Sequence, residues 1–237
     1  MKPTTTRIRA PSPWLVILLW QFLCTTTTGV SATPIPSPNS TKRQAWTGMY
    51  AEELSAQGCK PVIFIYARET IAPGNMGVTV GPALSNGLKS YFGAQNVATQ
   101  GVNYQGLIET NYNWGGGALD GIYLMQQLLT TAATYCPQSK IVAAGYSQGA
   151  AITHRAIESL PLIIKARIAG VVTFGDTQTL QDGLRIREFP LEKTLIICNT
   201  GDVICAGYMW VVPVHFYYLQ RVPEGLAFLI ARILSPT

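Results

Sequence analysis

Short apolar runs rich in β-branched residues alternate along the chain with longer segments whose apolar residues recur at helical spacing. The short runs show little polar alternation, which is typical of strands buried on both faces, and they occupy residues 61–68, 96–102, 140–146, 169–174 and 194–199. The helical patterns occupy residues 80–92, 119–135, 149–160 and 223–234. Strands that alternate with helices form parallel sheets covered on both faces. We therefore predict a single three-layer α/β/α domain with a five-stranded parallel central sheet.

The first 32 residues have the pattern of a secretory signal peptide. Basic residues precede an apolar run over residues 14–24, which is shorter than the about 20 residues that span a bilayer. Val30-Ser-Ala32 supplies the small residues that signal peptidase requires, so we predict cleavage after Ala32. The alternative is an uncleaved membrane anchor, which the polar residues 25–29 disfavour.

Residues 33–43 are rich in proline, serine and threonine, and we predict a pro-segment or a disordered linker there. The dibasic pair Lys42-Arg43 is either a processing site or part of an ordinary exposed linker. Asn39-Ser-Thr is an N-glycosylation sequon that such processing would remove. The folded domain is then expected over residues 44–237.

The formal net charge of +5 arises entirely from residues 1–43, the leader that precedes the predicted folded domain. Residues 1–43 hold five of the 17 basic residues and none of the 12 acidic ones, which leaves 12 of each sign in the remainder. The remainder is near-neutral and has no Lys/Arg cluster, so it has no basic patch that would attract nucleic acid or an anionic membrane. We expect neither a nucleic-acid partner nor a stable membrane partner, and we expect a monomer.

Four cysteines follow the predicted signal peptide, which is an even number in an exported chain. Four cysteines allow three pairings, and the short spacings of a metal site are absent from the sequence. We predict that Cys198 pairs with Cys205 as a local clip and that Cys59 pairs with Cys136. Together with the leader, these disulfides predict a secreted, extracellular protein.

The pentapeptide Gly145-Tyr-Ser-Gln-Gly149 matches the nucleophile-turn pattern G-x-S-x-G. A predicted strand precedes it and a predicted helix follows it, which is the strand-turn-helix context that the pattern requires. Small flanking residues relieve crowding in that strained turn. We therefore predict that Ser147 is a nucleophile beside a helix amino terminus, whose amides favour a developing oxyanion.

A serine nucleophile needs a base, and the chain has only two histidines. His154 lies seven residues after Ser147 on the helix that leaves the turn, and is carried about 10 Å away from it. We interpret His154 as a surface or partly packed residue. His215 follows late in the chain, in the Ser, Asp, His order of α/β-hydrolases, and is the predicted base.

Two aspartates stand at the end of a predicted strand and could orient His215. Asp202 lies inside the loop that Cys198 and Cys205 would close, and such a clip would hold the acid rigidly. We favour Asp202 for this reason and interpret Asp176 as a turn residue or a helix cap.

Three stretches, at residues 64–77, 144–150 and 198–205, resemble the cutinase family. Cys198-Asn-Thr-Gly-Asp-Val-Ile-Cys205 is similar to its acid loop, and Ala144-Gly-Tyr-Ser-Gln-Gly-Ala150 to its nucleophile turn. Phe64-Ile-Tyr-Ala-Arg68 followed by Gly74-Asn-Met-Gly77 is similar to its first strand and oxyanion loop. The likeness extends from Cys59 to Leu234, with serine, aspartate and histidine in the family's order.

The resemblance implies a small lidless α/β-hydrolase whose open active site admits large or insoluble esters such as cutin. It implies no metal and no organic cofactor. Gln148 would give its backbone N–H to the oxyanion, and Thr70 would give its backbone N–H and its hydroxyl. Met209 and Val211 belong to an apolar run near His215 that either binds fatty acyl chains or packs in the core.

The chain departs from the best-known cutinase pattern in three places. Arg68-Glu-Thr70 replaces the Gly-Ser pair common after the arginine and also resembles acetylxylan esterases, and residues 102–105 and 111–117 differ from the family's glycine-rich version. The last two departures lie near the expected acyl site, so they leave the preferred chain length open.

Three functions follow from this reading. The leading hypothesis is hydrolysis of cutin or similar aliphatic polyesters, together with short to medium acyl esters. A deacetylase of acetylated xylan is the alternative within the same chemistry, motivated by Arg68-Glu-Thr70 and the Asn103-Tyr104 pair. A non-catalytic secreted surface-binding protein is the alternative of a different class, against which the intact serine, aspartate and histidine argue.

Overall fold

The computed structural model describes residues 46–236 of the chain. The predicted signal peptide, residues 1–32, and the predicted linker, residues 33–43, lie outside the described residues. No helix within residues 46–236 has the length and apolar character that crossing a membrane requires.

Within residues 46–236, five strands form one parallel sheet, as the alternating pattern predicts. They are β1 (Val62–Ala67), β2 (Val97–Gly101), β3 (Lys140–Tyr146), β4 (Ile168–Phe174) and β5 (Thr194–Ile197). The strand order is β2-β1-β3-β4-β5, and every neighbouring pair is parallel. The predicted α/β fold class is confirmed.

In the described part of the chain, six α-helices connect and cover the strands: α1 (Glu53–Gln57), α2 (Val80–Phe92), α3 (Leu119–Tyr135), α4 (Gln148–Glu158), α5 (Leu162–Arg167) and α6 (Val222–Leu234). Short 3₁₀ turns lie at Ala94–Asn96, Glu109–Tyr112, Leu191–Lys193, Val203–Ala206, Pro213–Phe216 and Leu219–Arg221. The predicted elements are observed within two residues of their expected bounds, whereas α1 and α5 are too short to show a period and were not predicted.

The sheet separates two apolar cores because successive side chains of a strand point to opposite faces. Ile63 and Ile65 of β1 pack in the core that α3 and α4 cover. Phe64 and Tyr66 pack in the core that α2 and α6 cover. All four side chains are fully buried, so β1 is enclosed by packed side chains on both faces.

The loops that follow β1, β3, β4 and β5 meet at the carboxyl edge of the sheet. In an open parallel sheet this edge is where ligands bind, because helix amino termini and strand ends converge there. The segments after Ala67, Tyr146, Phe174 and Ile197 contain the residues singled out by their sequence motifs.

Two disulfides join Cys59 to Cys136 and Cys198 to Cys205, the pairing expected from the sequence. The first links residues 77 positions apart and ties the start of β1 to the end of α3, at the edge of the sheet opposite to the site. The second links residues only 7 positions apart, directly after β5.

Replacing both Cys59 and Cys136 by alanine should lower the free energy of unfolding by about 2–4 kcal/mol, because the long closed loop restricts the unfolded chain. The rate of ester hydrolysis below the unfolding temperature should be unchanged. Denaturant unfolding of the oxidised protein and of the variant measures the difference.

The paired variant Cys198→Ala/Cys205→Ala is the matched control. Its loop is short, so its loss of stability should be smaller, by about 2 kcal/mol in the chain-entropy relation. An equal loss of stability in both variants would contradict the assignment of the long loop as the main constraint.

Candidate active site

Ser147 lies in a sharp turn between β3 and α4. Its backbone has φ 54° and ψ −118°, a conformation that costs about 1–3 kcal/mol for a residue with a side chain. A Cβ on Gly145 would lie 2.2 Å from the carbonyl oxygen of Gly149, and one on Gly149 would lie 2.0 Å from that of Ala67. The two glycines are therefore required by contact between backbones, as the pentapeptide pattern predicts.

The structure brings the predicted nucleophile, base and acid together. His215 Nε2 is 3.0 Å from Ser147 Oγ, and His215 Nδ1 is 2.7 Å from Asp202 Oδ2. Ser147 is half-buried, while His215 and Asp202 are buried. This arrangement lets the imidazole accept the serine proton while the carboxylate fixes its orientation.

Asp202 accepts hydrogen bonds from two groups besides His215. Its Oδ1 accepts a hydrogen bond from the Ile204 amide, and its Oδ2 also accepts one from the hydroxyl of Tyr218 at 2.6 Å. Burial alone would raise the pKa of Asp202, but the hydrogen bonds from His215 and Tyr218 outweigh it and hold that pKa below its usual value. The carboxylate of Asp202 is therefore ionised above the acidic pH range. Tyr218 carries no motif, and sequence reasoning missed it.

The other histidine, His154, forms a buried ion pair with the other candidate acid, Asp176. His154 Nε2 is 2.8 Å from Asp176 Oδ2, and both side chains are fully buried. The interpretation of His154 as a surface or partly packed residue is therefore wrong. Asp176 does accept a hydrogen bond from the Gln178 amide, as a turn residue does, but it also forms this buried ion pair.

Thr70 and Gln148, the residues that the resemblance implies for the oxyanion, are in contact. Thr70 Oγ1 accepts hydrogen bonds from the side-chain amides of Gln148 at 3.2 Å and Asn111 at 3.1 Å. The only acceptor near the hydroxyl proton of Thr70 within the described residues is Asn111 Oδ1 at 3.3 Å, which is long for such a bond. The proton can thus turn to a substrate oxygen.

The backbone amides of the same two residues are free to donate. Within residues 46–236, neither the Thr70 nor the Gln148 N–H forms a hydrogen bond to another protein group. Gln148 opens α4, so its amide also lies at the positive end of that helix. Two free amides and a hydroxyl beside Ser147 match the donors that a tetrahedral oxyanion needs.

Arg68 fixes the loop that carries Thr70. Its guanidinium is buried and donates to the carbonyl oxygens of Gly74 and Tyr104, each at 2.6 Å, and it stacks 4.8 Å from the Tyr104 ring. Ile71 lies three residues after Arg68 and has φ 53°. Its backbone N–H donates to the carbonyl oxygen of Gly106 at 2.8 Å. A β-branched residue rarely adopts this conformation, so surrounding contacts hold the loop in place.

A cleft of about 510 Å³ opens above Ser147 and His215. Most of its other lining residues are largely apolar: Ile71, Ala72, Pro73, Val78, Ile108, Tyr112, Tyr146, Ile204, Met209, Val211 and Phe216. The remaining polar lining residues are Glu69, Thr70, Thr79, Asn111 and Thr177. Met209 and Val211 thus lie at the cleft rather than in the core. Val211 is 57% exposed and its neighbour Trp210 is 77% exposed, so this loop forms an apolar rim.

Glu69 is a carboxyl group in the cleft wall without a cationic partner within the described residues. Its Oε2 is buried and has no hydrogen-bond partner there, and its Oε1 accepts only a long bond from Thr79 at 3.5 Å. Burial raises the pKa of Glu69 above its ordinary value, against smaller lowering contributions that include its own backbone and Arg68.

A parallel α/β sheet whose carboxyl edge presents serine, aspartate and histidine in this chain order defines a serine hydrolase of the α/β-hydrolase class. The profile of the family described as Cutinase matches residues 58–233. The protein named Cutinase CUT2 of Pyricularia oryzae is 44% identical over 214 residues, which cover 90% of this chain and 100% of that protein. The chain belongs to the cutinase family and is a serine carboxylic ester hydrolase, as the members of that family are.

Solved structures agree with this assignment. A Trichoderma reesei cutinase in complex with a C11Y4 phosphonate inhibitor superimposes with a TM-score of 0.71 at 28% identity, covering 79% of this chain and 81% of that chain. The catalytic core domain of an acetyl xylan esterase from Trichoderma reesei gives 0.59 at 15% identity, over 73% of this chain and 99% of that chain. The second likeness is one of fold alone.

Glu69→Gln should stabilise the protein at neutral and alkaline pH. The raised pKa of Glu69 means that the folded state loses stability, relative to a neutral side chain, as pH rises above the ordinary carboxyl pKa of 4.5. We expect equal unfolding temperatures near pH 4 and a higher one for the variant near pH 8. Each kcal/mol recovered raises the unfolding temperature by about 2–4 °C in a chain of this size.

Thermal unfolding followed by circular dichroism at both pH values measures this difference. Glu109→Gln, which changes an exposed carboxylate, is the matched control and should show no such pH dependence. A Glu69 variant that is less stable than the parent at pH 8 would show that the carboxylate is stabilised by its surroundings.

Proposed function

We propose that this esterase hydrolyses cutin-type aliphatic polyesters and short to medium acyl esters through an acyl-enzyme on Ser147. The observation that carries the proposal is the position of Ser147 and His215 in the wall of an open, largely apolar cleft. Such a cleft accommodates an aliphatic acyl chain by burying its methylene groups, each worth about 0.8 kcal/mol.

In the first half-reaction, Ser147 Oγ attacks the ester carbonyl while His215 Nε2 takes its proton. Asp202 stabilises the imidazolium that forms, at 2.7 Å from Nδ1. Negative charge develops on the carbonyl oxygen and is met by the amides of Thr70 and Gln148 and by the Thr70 hydroxyl. The imidazolium then gives its proton to the leaving alcohol, and the acyl group remains on Ser147.

In the second half-reaction, a water molecule loses a proton to His215 and attacks the acyl carbonyl. The same donors stabilise the second tetrahedral oxyanion. When it collapses, the carboxylic acid leaves and the proton returns from His215 to Ser147 Oγ.

The deacetylase reading has less support from the site. Tyr104, one of the residues that suggested it, is buried and donates its hydroxyl to the carbonyl oxygen of Arg68 rather than to the cleft. A sugar substrate needs polar partners, whereas the cleft rim is apolar at Ile71, Val78 and Phe216. A preference for aliphatic acyl groups is the better match.

We also propose that the enzyme acts outside the cell as a monomer. Two disulfides favour an oxidising compartment, and the sequence of residues 1–32 has the pattern of an export signal. The folded part is assigned to residues 44–237, with residues 33–43 as a linker. An insoluble ester polymer is the expected partner.

The purified mature chain should hydrolyse p-nitrophenyl butyrate and release soluble products from a polyester film. Ser147→Ala should lower both rates by about 10⁴-fold or more, because the nucleophile is lost while the oxyanion donors remain. Initial rates with the acetate, butyrate and palmitate esters measure acyl preference.

Each outcome has a distinct meaning. Turnover of acetate alone, with no butyrate and no film hydrolysis, would favour the deacetylase. A folded chain that is silent on every ester would favour a surface-binding protein. Full activity in Ser147→Ala would reject the assigned nucleophile.

Trp210→Ser should weaken adsorption to a polyester film on the order of tenfold and leave kcat and KM for soluble butyrate unchanged. Trp210 is 77% exposed beside the cleft, so it can bury part of its ring against an apolar surface without touching a small substrate. Depletion of the enzyme from solution by the film measures adsorption.

Tyr135→Ser is the matched control, since Tyr135 is 75% exposed at the end of α3, near the opposite edge of the sheet. It should leave film adsorption unchanged. Equal losses in the two variants would indicate that the film binds the protein without preference for the cleft rim.

A further inference from the structure

His154 is a buried charged group that the proposed mechanism does not use. Its Nε2 is 2.8 Å from Asp176 Oδ2 and its Nδ1 is 2.8 Å from Asp182 Oδ2. The exposed fraction of all three side chains is 0%. An imidazole placed between two carboxylates can donate to both only when it carries both protons, so the geometry is that of a histidinium.

The charges that face this histidine balance. Arg155 Nη2 is 2.6 Å from Asp182 Oδ2, and Arg155 also pairs with Glu158. Arg187 Nε lies 3.0 Å from Asp182 Oδ1, in an ion pair whose N–H is not aligned for a hydrogen bond. The network thus contains the cations His154, Arg155 and Arg187 and the anions Asp176, Asp182 and Glu158.

The protonation state follows from these neighbours. Burial alone lowers the pKa of His154, but the carboxylates of Asp176 and Asp182 outweigh it and raise that pKa to about 9. Burial likewise raises the pKa of Asp176, and His154 outweighs it and lowers that pKa. The ion pair is therefore complete between the acidic range and about pH 9.

The segment that Asp176 anchors touches both the nucleophile and the base. The carbonyl oxygen of Phe174 accepts a hydrogen bond from the Ser147 amide at 2.9 Å. Gly175 packs on the base so closely that a Cβ there would lie 2.8 Å from His215 Cε1. Thr177, one residue after Asp176, lines the cleft. The end of β4 is thus a wall of the site.

The other end of the ion pair lies on the helix that starts at the nucleophile. His154 belongs to α4, which begins directly after Ser147, and every residue from Gln148 to Ile157 is buried. The contacts therefore form a closed ring that runs from Ser147 through α4 to His154, then through Asp176 and Gly175 to His215, and back to Ser147.

We propose that His154 and Asp176 are positioning residues for ester hydrolysis, whose ion pair holds Gly175 against His215 and so keeps the imidazole within reach of Ser147. The inference rests on the proposed roles of Ser147 and His215. A loosened anchor would let the end of β4 shift, and a displacement of about 1 Å between reacting groups costs up to about 100-fold in rate.

The test compares Asp176→Asn and His154→Gln with Glu53→Gln. The first two remove charge from the ion pair and keep side chains of similar size. Glu53→Gln removes the charge from a second largely buried ion pair, with Lys89, beside β2 and away from β4. The unfolding temperature of each variant, kcat and KM for p-nitrophenyl butyrate, and the rate of inactivation by diethyl p-nitrophenyl phosphate are measured.

The rate of inactivation by the phosphate reagent measures how well His215 activates Ser147. Ser147 Oγ forms a bond to phosphorus, p-nitrophenolate leaves, and the serine proton passes to His215. We expect about 10- to 100-fold lower kcat and a similarly slower inactivation in Asp176→Asn and His154→Gln, with KM nearly unchanged. Glu53→Gln should lower the unfolding temperature and leave both rates unchanged.

Full kcat and full inactivation rate in a folded Asp176→Asn or His154→Gln would overturn the proposal and leave the ion pair a purely structural feature. If these variants do not fold, Thr173→Val decides, because it removes only the 2.6 Å hydrogen bond from Thr173 to Asp176 and keeps every charge. Its kcat should fall several-fold, and an unchanged kcat would overturn the proposal. Ser147→Ala separates the two hypotheses, since activity in that variant would reject the nucleophile itself.

Discussion

The close approach of α4 to the ends of β1 and β3 is the constraint on which the rest of the site depends. The backbone of Gly149 lies against that of Ala67 and Gly145, at distances that leave no room for a side chain. Only at this separation does Ser147 sit above the sheet edge with the start of α4 directly behind it. The oxyanion donors, the base and the cleft are all positioned relative to that turn.

Around the turn, each catalytic group is held by a group from a different loop. Asp202 is fixed by Tyr218, Thr70 by Asn111 and Gln148, and the oxyanion loop by the buried guanidinium of Arg68. The hydrogen bond from Tyr218 to Asp202 and those from Arg68 each involve a charged group, which makes them the stronger kind. Hydrogen bonds therefore connect segments at this edge that are separated in the chain.

Much of this site could be predicted because its signals are local. Three local signals identify the three residues without any knowledge of the fold. The turn pentapeptide identifies Ser147, the short loop between Cys198 and Cys205 identifies Asp202, and the presence of only two histidines leaves His215 as the base. The state of His154 could not be predicted, because its partners lie 22 and 28 residues further along the chain. The charged residues His154 and Arg155 suggest an exposed face, yet both are buried and form hydrogen bonds with Asp176, Gln178 and Asp182. Tyr218 and Asn111 were missed for the same reason, since their roles arise from contacts between loops.

The geometry also bears on how much the site must change when an ester binds. The histidine already lies within hydrogen-bond distance of Ser147 and Asp202, and two amides already stand free beside the serine. Ile71 keeps a backbone conformation that is unfavourable for a β-branched residue, which requires that its loop be fixed by its surroundings. Preorganised dipoles stabilise developing charge without reorganising during the reaction. In such a site the chemical step needs little movement, so the rate on a solid polyester should depend mainly on how the apolar rim meets the surface.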